Sequence, residues 1–335
     1  MSMKLKISVG VFTYNQQDTI GQTLDSILMQ KGDFDLELVI GEDCSPDNTY
    51  AICQEYAEHY PDIIKLLPNT HNLGILGNFA RVIQSCTGEL ISYIAGDDFY
   101  CDDHALTKQI HYLQQHPEVG VMAANGYSYI VLRNEKIPGL NPPMESGEDR
   151  AKQYYFSPSY RAGVYIAPPG IMIRGELIRK YINFPEMERR KLPVEDVPLQ
   201  AILSQYTRFA CLPDLLVIYR VYKESATFIS YNHPRYLEYN RGLMNTIKYL
   251  NELFPQDACI TDQMLEEQMF YKEFLYHVYH GNYRKTRQLL SNVSTEIAHS
   301  EKVHLAKRLS RNWLSFMAYH FYKKIATNKA IEHQI

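Results

Sequence analysis

Short apolar, β-prone runs alternate with stretches of helical periodicity along the first part of this chain, and that alternation leaves few folds open. LKISVGVF (residues 5–12), LELVI (36–40), Ile63–Leu67 and ISYIA (91–95) each read as strands buried on both faces. Between them Ile20, Leu24, Ile27 and Leu28, then Tyr50, Cys53 and Ala57, then Phe79, Val82 and Ile83 recur at helical spacing. Strands joined by crossover helices pair in parallel with a right-handed connection. The expected fold is α/β: a doubly wound, mostly parallel central sheet flanked by helices. In such a sheet a ligand sits where the strands end at their carboxyl edge.

Each strand here ends in residues suited to that role. The first runs into Thr13-Tyr14-Asn15-Gln16-Gln17-Asp18, the second into Gly41-Glu42-Asp43-Cys44-Ser45-Pro46-Asp47, and the last into Gly96-Asp97-Asp98. Tyr14 offers a ring face to a nucleobase. Asp43, ionised, only accepts hydrogen bonds, so it selects a base with a ring N–H: uracil, thymine or guanine. Ser45-Pro46-Asp47 is equally good turn chemistry. Asp97 and Asp98 repel each other, and a hard divalent cation shared with a diphosphate relieves that repulsion. An isolated Asp-Asp pair is more simply a solvated acidic turn; its convergence with Thr13, Tyr14 and Asp43 on one edge favours the site. No G-x-x-x-x-G-K loop is present, and FTYN replaces the G-x-G-x-x-G of a dinucleotide fold.

Further along, Asp103 reads as the cap of a helix over 104–115 that buries Leu106, Ile110 and Leu113. Val119–Ala124, Tyr127–Leu132, Val164–Ile166, Ile171–Arg174 and Leu215–Tyr222 read as strands. Residues 133–162 read as an irregular loop long enough to be a lid or an acceptor contact. Val194–Tyr206 reads as a helix opening on Glu195-Asp196, where an ionised carboxylate could take a proton from an attacking hydroxyl; an acidic first turn that matches the helix dipole is the plainer alternative. After residue 230 the pattern becomes helical, with helices expected at Arg235–Leu253, Thr261–His280, Tyr283–Leu290 and Val303–Thr327. The expected organisation is an α/β catalytic domain over 1–230 and a helical extension over 231–335, for packing, acceptor or membrane-surface contact.

The net charge of −4 gives no reason to expect a nucleic-acid partner. The six cysteines form no C-x-x-C pair, which argues against zinc and fits reduced thiols in a cytoplasmic protein. No apolar run is long enough to span a bilayer, and the N-terminal apolar run is too short for a secretory signal. Residues 302–329 hold Lys302, Lys307, Arg308, Arg311, Lys323, Lys324 and Lys329, no acidic residue, and interleaved aromatics from Trp313 to Phe321. This stretch suits either a helix packed on its own domain or a peripheral contact with the inner face of the cytoplasmic membrane.

The series VGVFTYNQQDTIGQTLDSILMQ, ELVIGEDCSPDNT, NLGILGN and GELISYIAGDDFYCDD, followed by VED at 194–196, resembles the family 2 glycosyltransferases of the GT-A fold, over roughly two-thirds of the chain. The resemblance implies an inverting transferase that moves a sugar from a nucleotide-sugar donor, a UDP-sugar by preference, to the hydroxyl of a sugar or lipid-linked saccharide in cell-surface polysaccharide or glycoconjugate synthesis. It implies that Thr13, Tyr14, Asn15, Glu42, Asp43, Ser45, Asn72, Gly74 and Asp97 bind the donor, with Tyr14 and Asp43 on the base. Asp98, with Asp97, would hold a divalent metal ion, Mn2+ or Mg2+; Asp196 would be the base and Glu195 its support or an acceptor contact. The chain departs from the common pattern at Ala95, Gly77 and Tyr222. Those departures keep open a non-catalytic sugar-nucleotide binder. A sugar nucleotidyltransferase lacks its basic, glycine-rich loop here.

Overall fold

The structure is a computed structural model; it describes residues 4–144, 152, 156, 166–222, 231 and 233–334, with side chains to residue 326. It divides into two compact units, one of 1–189 with 194–221 and one of 190–193 with 222–335. The boundary expected near 230 falls outside the described residues.

In the first unit, β1 (Leu5–Thr13), β2 (Phe34–Glu42), β3 (Ile64–Pro68) and β4 (Leu90–Ala95) form a parallel block in the order β3-β2-β1-β4. α1 (Ile20–Leu28), α2 (Thr49–His59) and α3 (Gly74–Ser85) are the connections between them. Beyond β4 the sheet becomes mixed. β8 (Ile171–Arg174) runs antiparallel to both β4 and β6 (Val119–Ile130). β9 (Arg208–Val221) lies parallel to β6, and the short β5 (Phe99–Tyr100) pairs antiparallel with β9. The sheet is therefore α/β and mostly parallel along its length, but it is not a uniform doubly wound sheet: the reversal at β8 brings β9, distant in sequence, to the β5 edge.

The strands are buried on both faces, as their unbroken apolar runs require. Ile7, Val9 and Val11 of β1 pack with Ile20, Leu24 and Ile27 of α1 and with Leu106 and Leu113 of α4 (Ala105–Gln115). Phe79 of α3 meets Tyr93 of β4 edge-to-face at 4.9 Å and Phe12 of β1 at 5.5 Å. Each fully buried aliphatic side chain contributes roughly 1.5–3 kcal/mol.

Several local readings change. Tyr50 is exposed, so α2 buries Cys53 without it. Asp103 does not cap α4: Asp102 Oδ1 accepts from the His104 N–H at 2.7 Å, while Asp103 pairs with Lys31 at 2.5 Å and His104 at 2.6 Å. The two strands expected within 119–132 are one, β6, whose register shifts around Asn125 and Gly126 absorb the irregularity. It ends at Ile130 and gives way to a single 3-10 turn over Val131–Arg133. Glu135–Pro138 of the expected loop is a strand, β7, paired with β6. The remainder of the expected lid (145–151, 153–155, 157–162) and Val164 and Tyr165 lie outside the described residues. α5 (Gly175–Tyr181), α6 (Phe184–Arg189) and α7 (Asp196–Leu203) complete the helices described in this unit.

The second unit is helical: α8 (Tyr236–Leu253), α9 (Asp262–Tyr279), α10 (Tyr283–Ser291), α11 (Glu301–Leu309) and α12 (Trp313–Gln334). Its core gathers Phe270, Phe274 and Val278 with Val303, Ala306 and Phe316. The single helix expected over Val303–Thr327 is broken at 310–312. Asn312 Oδ1 accepts from the Ser315 N–H at 2.9 Å and starts a new helix, which lets Phe316 reach the core.

At the amino edge of the sheet, Glu37 of β2 accepts from Lys6 at 3.0 Å, from the Thr87 hydroxyl at 2.8 Å, and from Ser8. Partial burial opposes its ionisation, but these donors outweigh it and hold its pKa down at about 2. A lowered carboxylate pKa adds stability that is present above about 4.5 and is lost as pH falls toward 2. Glu37→Gln should lower the melting temperature at pH 7 by roughly 2–4 °C, and the difference from the parent should shrink in thermal melts carried down to pH 3.

Candidate active site

The carboxyl edge of the parallel block is drawn together around Gly96. A Cβ on Gly96 would lie 2.6 Å from both Thr13 Oγ1 and Gln16 Oε1 and 2.8 Å from Thr13 Cβ. Only glycine lets the turn after β4 sit this close to the loop after β1. The Gly96 N–H donates to the Phe12 carbonyl at 3.1 Å, and its carbonyl accepts from the Thr19 and Thr23 hydroxyls at 2.9 and 3.0 Å. Thr23 also donates to the Asp98 carbonyl at 2.7 Å. Thr13 is buried and donates to Gln16 Oε1 at 2.8 Å.

Asp97 and Asp98 follow directly. Asp98 is 2% exposed, and Oδ1 accepts from the backbone N–H of Arg220 on β9 at 2.8 Å. Burial first, and then the Asp97 carboxylate, push its pKa well above the usual range, against the pull of the Arg220 N–H and charge. Asp97 is half-buried; burial raises its pKa too, and Arg220 and Gln16 offset part of this. Arg220 lies with its guanidinium 4.6 Å from the centre of the Phe99 ring and donates to the Asp97 carbonyl and to Gln22 Oε1.

The donor-binding candidates after β1 and β2 are joined to one another. The Asn15 N–H donates to Ser45 Oγ at 2.9 Å, the Gln16 N–H to Thr49 Oγ1 at 2.8 Å and the Gln17 N–H to Asp47 Oδ2 at 3.1 Å. The Ser45 N–H donates to buried Glu42 at 2.8 Å. Asn15 (φ 56°) and Cys44 (φ 58°) both adopt the left-handed conformation that these tight loops demand. Tyr14, immediately before Asn15, is 47% exposed. Asp43 is 3% exposed and accepts from Leu73 N and Asn69 Nδ2, each at 2.7 Å, and from Gly74 N at 3.0 Å. Gly74 takes the φ of +77° that turns this loop back, and Asn72 Oδ1 also accepts from its N–H at 3.0 Å. A carboxylate has about four acceptor positions, so this loop leaves Asp43 about one for a ligand.

Glu195 and Asp196 open α7, and both are buried. Both act on Tyr93 of β4, four residues before Asp97. Its phenol is fully buried, and burial, then Glu195, then Asp196 raise its pKa well above the ordinary value. Burial and the adjacent Asp196 push the Glu195 pKa up to about 8.

Arg220, Gln16, Gln22 and Tyr93 were not among the sequence candidates. Gln22 and Tyr93 sit inside helical and strand periodicities and carry no local signal. Arg220 stands in an apolar strand, where a charged residue on a buried run is the one available cue.

With this geometry established, comparison places the chain. Residues 8–168 match the family described as Glycosyl transferase family 2. This region belongs to that family. An uncharacterized protein of Mycobacterium tuberculosis is 27% identical over 70% of this chain, and the match spans 64% of that relative's length. Two solved structures share the GT-A-type fold. S. aureus TarS 1–349 in complex with UDP-GlcNAc has a TM-score of 0.52 at 16% identity, covering 98% of this chain and 92% of its own. The mannosyltransferase PcManGT from Pyrobaculum calidifontis, in complex with GDP-Man and Mn2+, has a TM-score of 0.51 at 15% identity, covering 97% and 88%.

Two tests of this geometry follow. Gly96→Ala should destabilise the chain by about 1–3 kcal/mol in denaturant unfolding, because the new Cβ meets Thr13. A raised carboxylate pKa contributes stability that is complete below about 4.5 and is lost as pH rises to about 8, as two buried carboxylates come to share charge. The melting temperature of the parent should therefore fall between about pH 5 and pH 8 more than that of Glu195→Gln, which stays neutral; parallel melts decide it.

Proposed function

We propose that this chain is a metal-dependent inverting glycosyltransferase that moves a sugar from a nucleotide-sugar donor, a UDP-sugar by preference, to a sugar or lipid-linked saccharide hydroxyl in the cytoplasm, in cell-surface polysaccharide or glycoconjugate synthesis. The observation that carries it is the Asp97-Asp98 pair, Asp98 buried and Asp97 half-buried, pressed by Gly96 against the β1 loop and faced by Arg220.

The pair suits a divalent cation. Both carboxylates are held away from water and both resist ionisation, a state that a nearby divalent charge reverses. Asp98 and Asp97 would hold the ion, which when bound neutralises diphosphate charge and favours departure of the nucleoside diphosphate. That PcManGT was solved with GDP-Man and Mn2+ supports this choice. The cluster Asp102, Asp103 and His104 has metal-ligand spacing but is committed to Lys108 and Lys31, so it is not the ion's site in this reading.

The chain's own groups do the rest. Tyr14 presents an exposed ring to the base, and the acceptor position left on Asp43 takes a ring N–H, which uracil supplies; that TarS was solved with UDP-GlcNAc agrees with a uridine donor. Thr13, Asn15, Glu42, Ser45, Asn72 and Gly74 shape that pocket through the loop bonds they share. Glu195, with a pKa near 8, keeps its proton at neutral pH, which leaves Asp196 to accept the proton of the attacking hydroxyl. Attack from the face opposite the departing diphosphate inverts the anomeric centre.

Purified protein should release UDP from one member of a UDP-sugar panel when Mn2+ or Mg2+ is present, and not in excess chelator. Asp98→Ala should abolish metal-dependent donor binding in calorimetry. Asp196→Asn should bind donor within about two-fold of the parent while transfer falls by roughly 100–10,000-fold. Donor binding that ignores metal, with no turnover of any donor, would establish a binding protein instead.

A further inference from the structure

The last helix of the second unit is apolar on two faces: Phe316, Met317 and Tyr319 pack on the core, and a second apolar row faces water. α12 turns Phe316 fully into the core, and His320 Nδ1 stands 2.7 Å from the Val278 carbonyl. Lys323 also faces inward: its Nζ lies 4.8 Å from the centre of the Tyr231 ring, and burial lowers its pKa. The outward face carries the apolar side chains. Leu314 is 73% exposed, Phe321 58%, Tyr322 65% and Ile325 59%. Leu314, Phe321 and Ile325 stand at i, i+7 and i+11, one line along a helix, with Tyr322 beside them. A helix that only packs on its own domain keeps its solvent face polar, without a row of large apolar side chains. A contiguous apolar face left in water marks an interaction surface.

Charge identifies what covers it. Lys307, Arg308, Arg311 and Lys324 are exposed near this face, and residues 302–329 hold no acidic residue, in a chain whose net charge is −4. A second copy brings the same basic stretch against itself, and like charges placed together oppose that pairing. An anionic lipid surface meets the stretch with the opposite sign and accepts the aromatic and aliphatic side chains. Among the described residues no helix is long and apolar enough to cross a membrane, so the geometry is that of a helix lying in the surface.

We propose that the outward face of α12, Leu314, Phe321, Tyr322 and Ile325 with the flanking basic residues, docks this protein on an anionic lipid surface. The face shares no residue with the candidate active site, so the inference stands or falls apart from the proposed activity.

The test is flotation of the full chain with vesicles of phosphatidylcholine alone and of phosphatidylcholine mixed with phosphatidylglycerol. Partition into the anionic vesicles should be on the order of ten-fold stronger or more, and should weaken at high salt. The triple variant Leu314→Ser, Phe321→Ser, Ile325→Ser should lose roughly ten-fold or more of that partition, with its far-ultraviolet circular dichroism and melting temperature unchanged, since all three side chains are exposed. Arg311→Glu with Lys324→Glu should remove the preference for anionic over neutral vesicles. Equal partition into both vesicle types, no flotation, or undiminished flotation of the triple variant would overturn the proposal. So would a parent dimer that the triple variant converts to monomer, which would assign the face to a second copy of the chain.

Discussion

Two adjacent carboxylates at the end of a parallel strand, Asp98 buried and Asp97 half-buried, are the constraint on which the first unit depends. Burial opposes the ionisation of both, and the Asp97 charge raises the cost for Asp98. The fold meets this with donors rather than distance: the Arg220 N–H on Asp98, the Arg220 guanidinium nearby and Gln16 beside Asp97. The compensation is incomplete: both carboxyl groups keep pKa values raised above the ordinary range.

At the same edge the loops after β1 and β2 hold one another in place. Ser45, Thr49 and Asp47 hold the backbone of the β1 loop, and Asp43 ties down the 69–74 loop through three donors. Loops fixed in this way lose less freedom when a ligand arrives. At Ser45 the turn chemistry legible in Ser45-Pro46-Asp47 is what the structure shows: its hydroxyl accepts from Asn15 and its N–H donates to Glu42.

Much of this was legible in the order of residues. Unbroken apolar runs marked the parallel strands, because strands buried on both faces have no polar alternation to show. The helices between them followed from periodicity, and the clustering of Thr13, Tyr14, Asp43 and Asp97-Asp98 on one edge followed from the rule that parallel strands point the same way. Local caps were less legible. Asp102 and Asp103 are chemically identical candidates, and the pull of Lys31 on one of them comes from a residue distant in sequence. The break at 310–312 in the last helices was hidden because Ser, Arg and Asn interrupt an apolar period without a glycine or proline.

By itself the sequence determined the parallel block, the acidic pair at its end and the basic, aromatic character of the C-terminal stretch, since periodicity and composition are local properties. Tertiary structure alone decided the reversal at β8, the arrival of Arg220 beside Asp98, the burial that lifts Glu195, and the outward turn of Leu314, Phe321 and Ile325. Each of these depends on contacts between residues far apart in the chain, or on which helical face the core claims. No spacing rule within one segment carries that information.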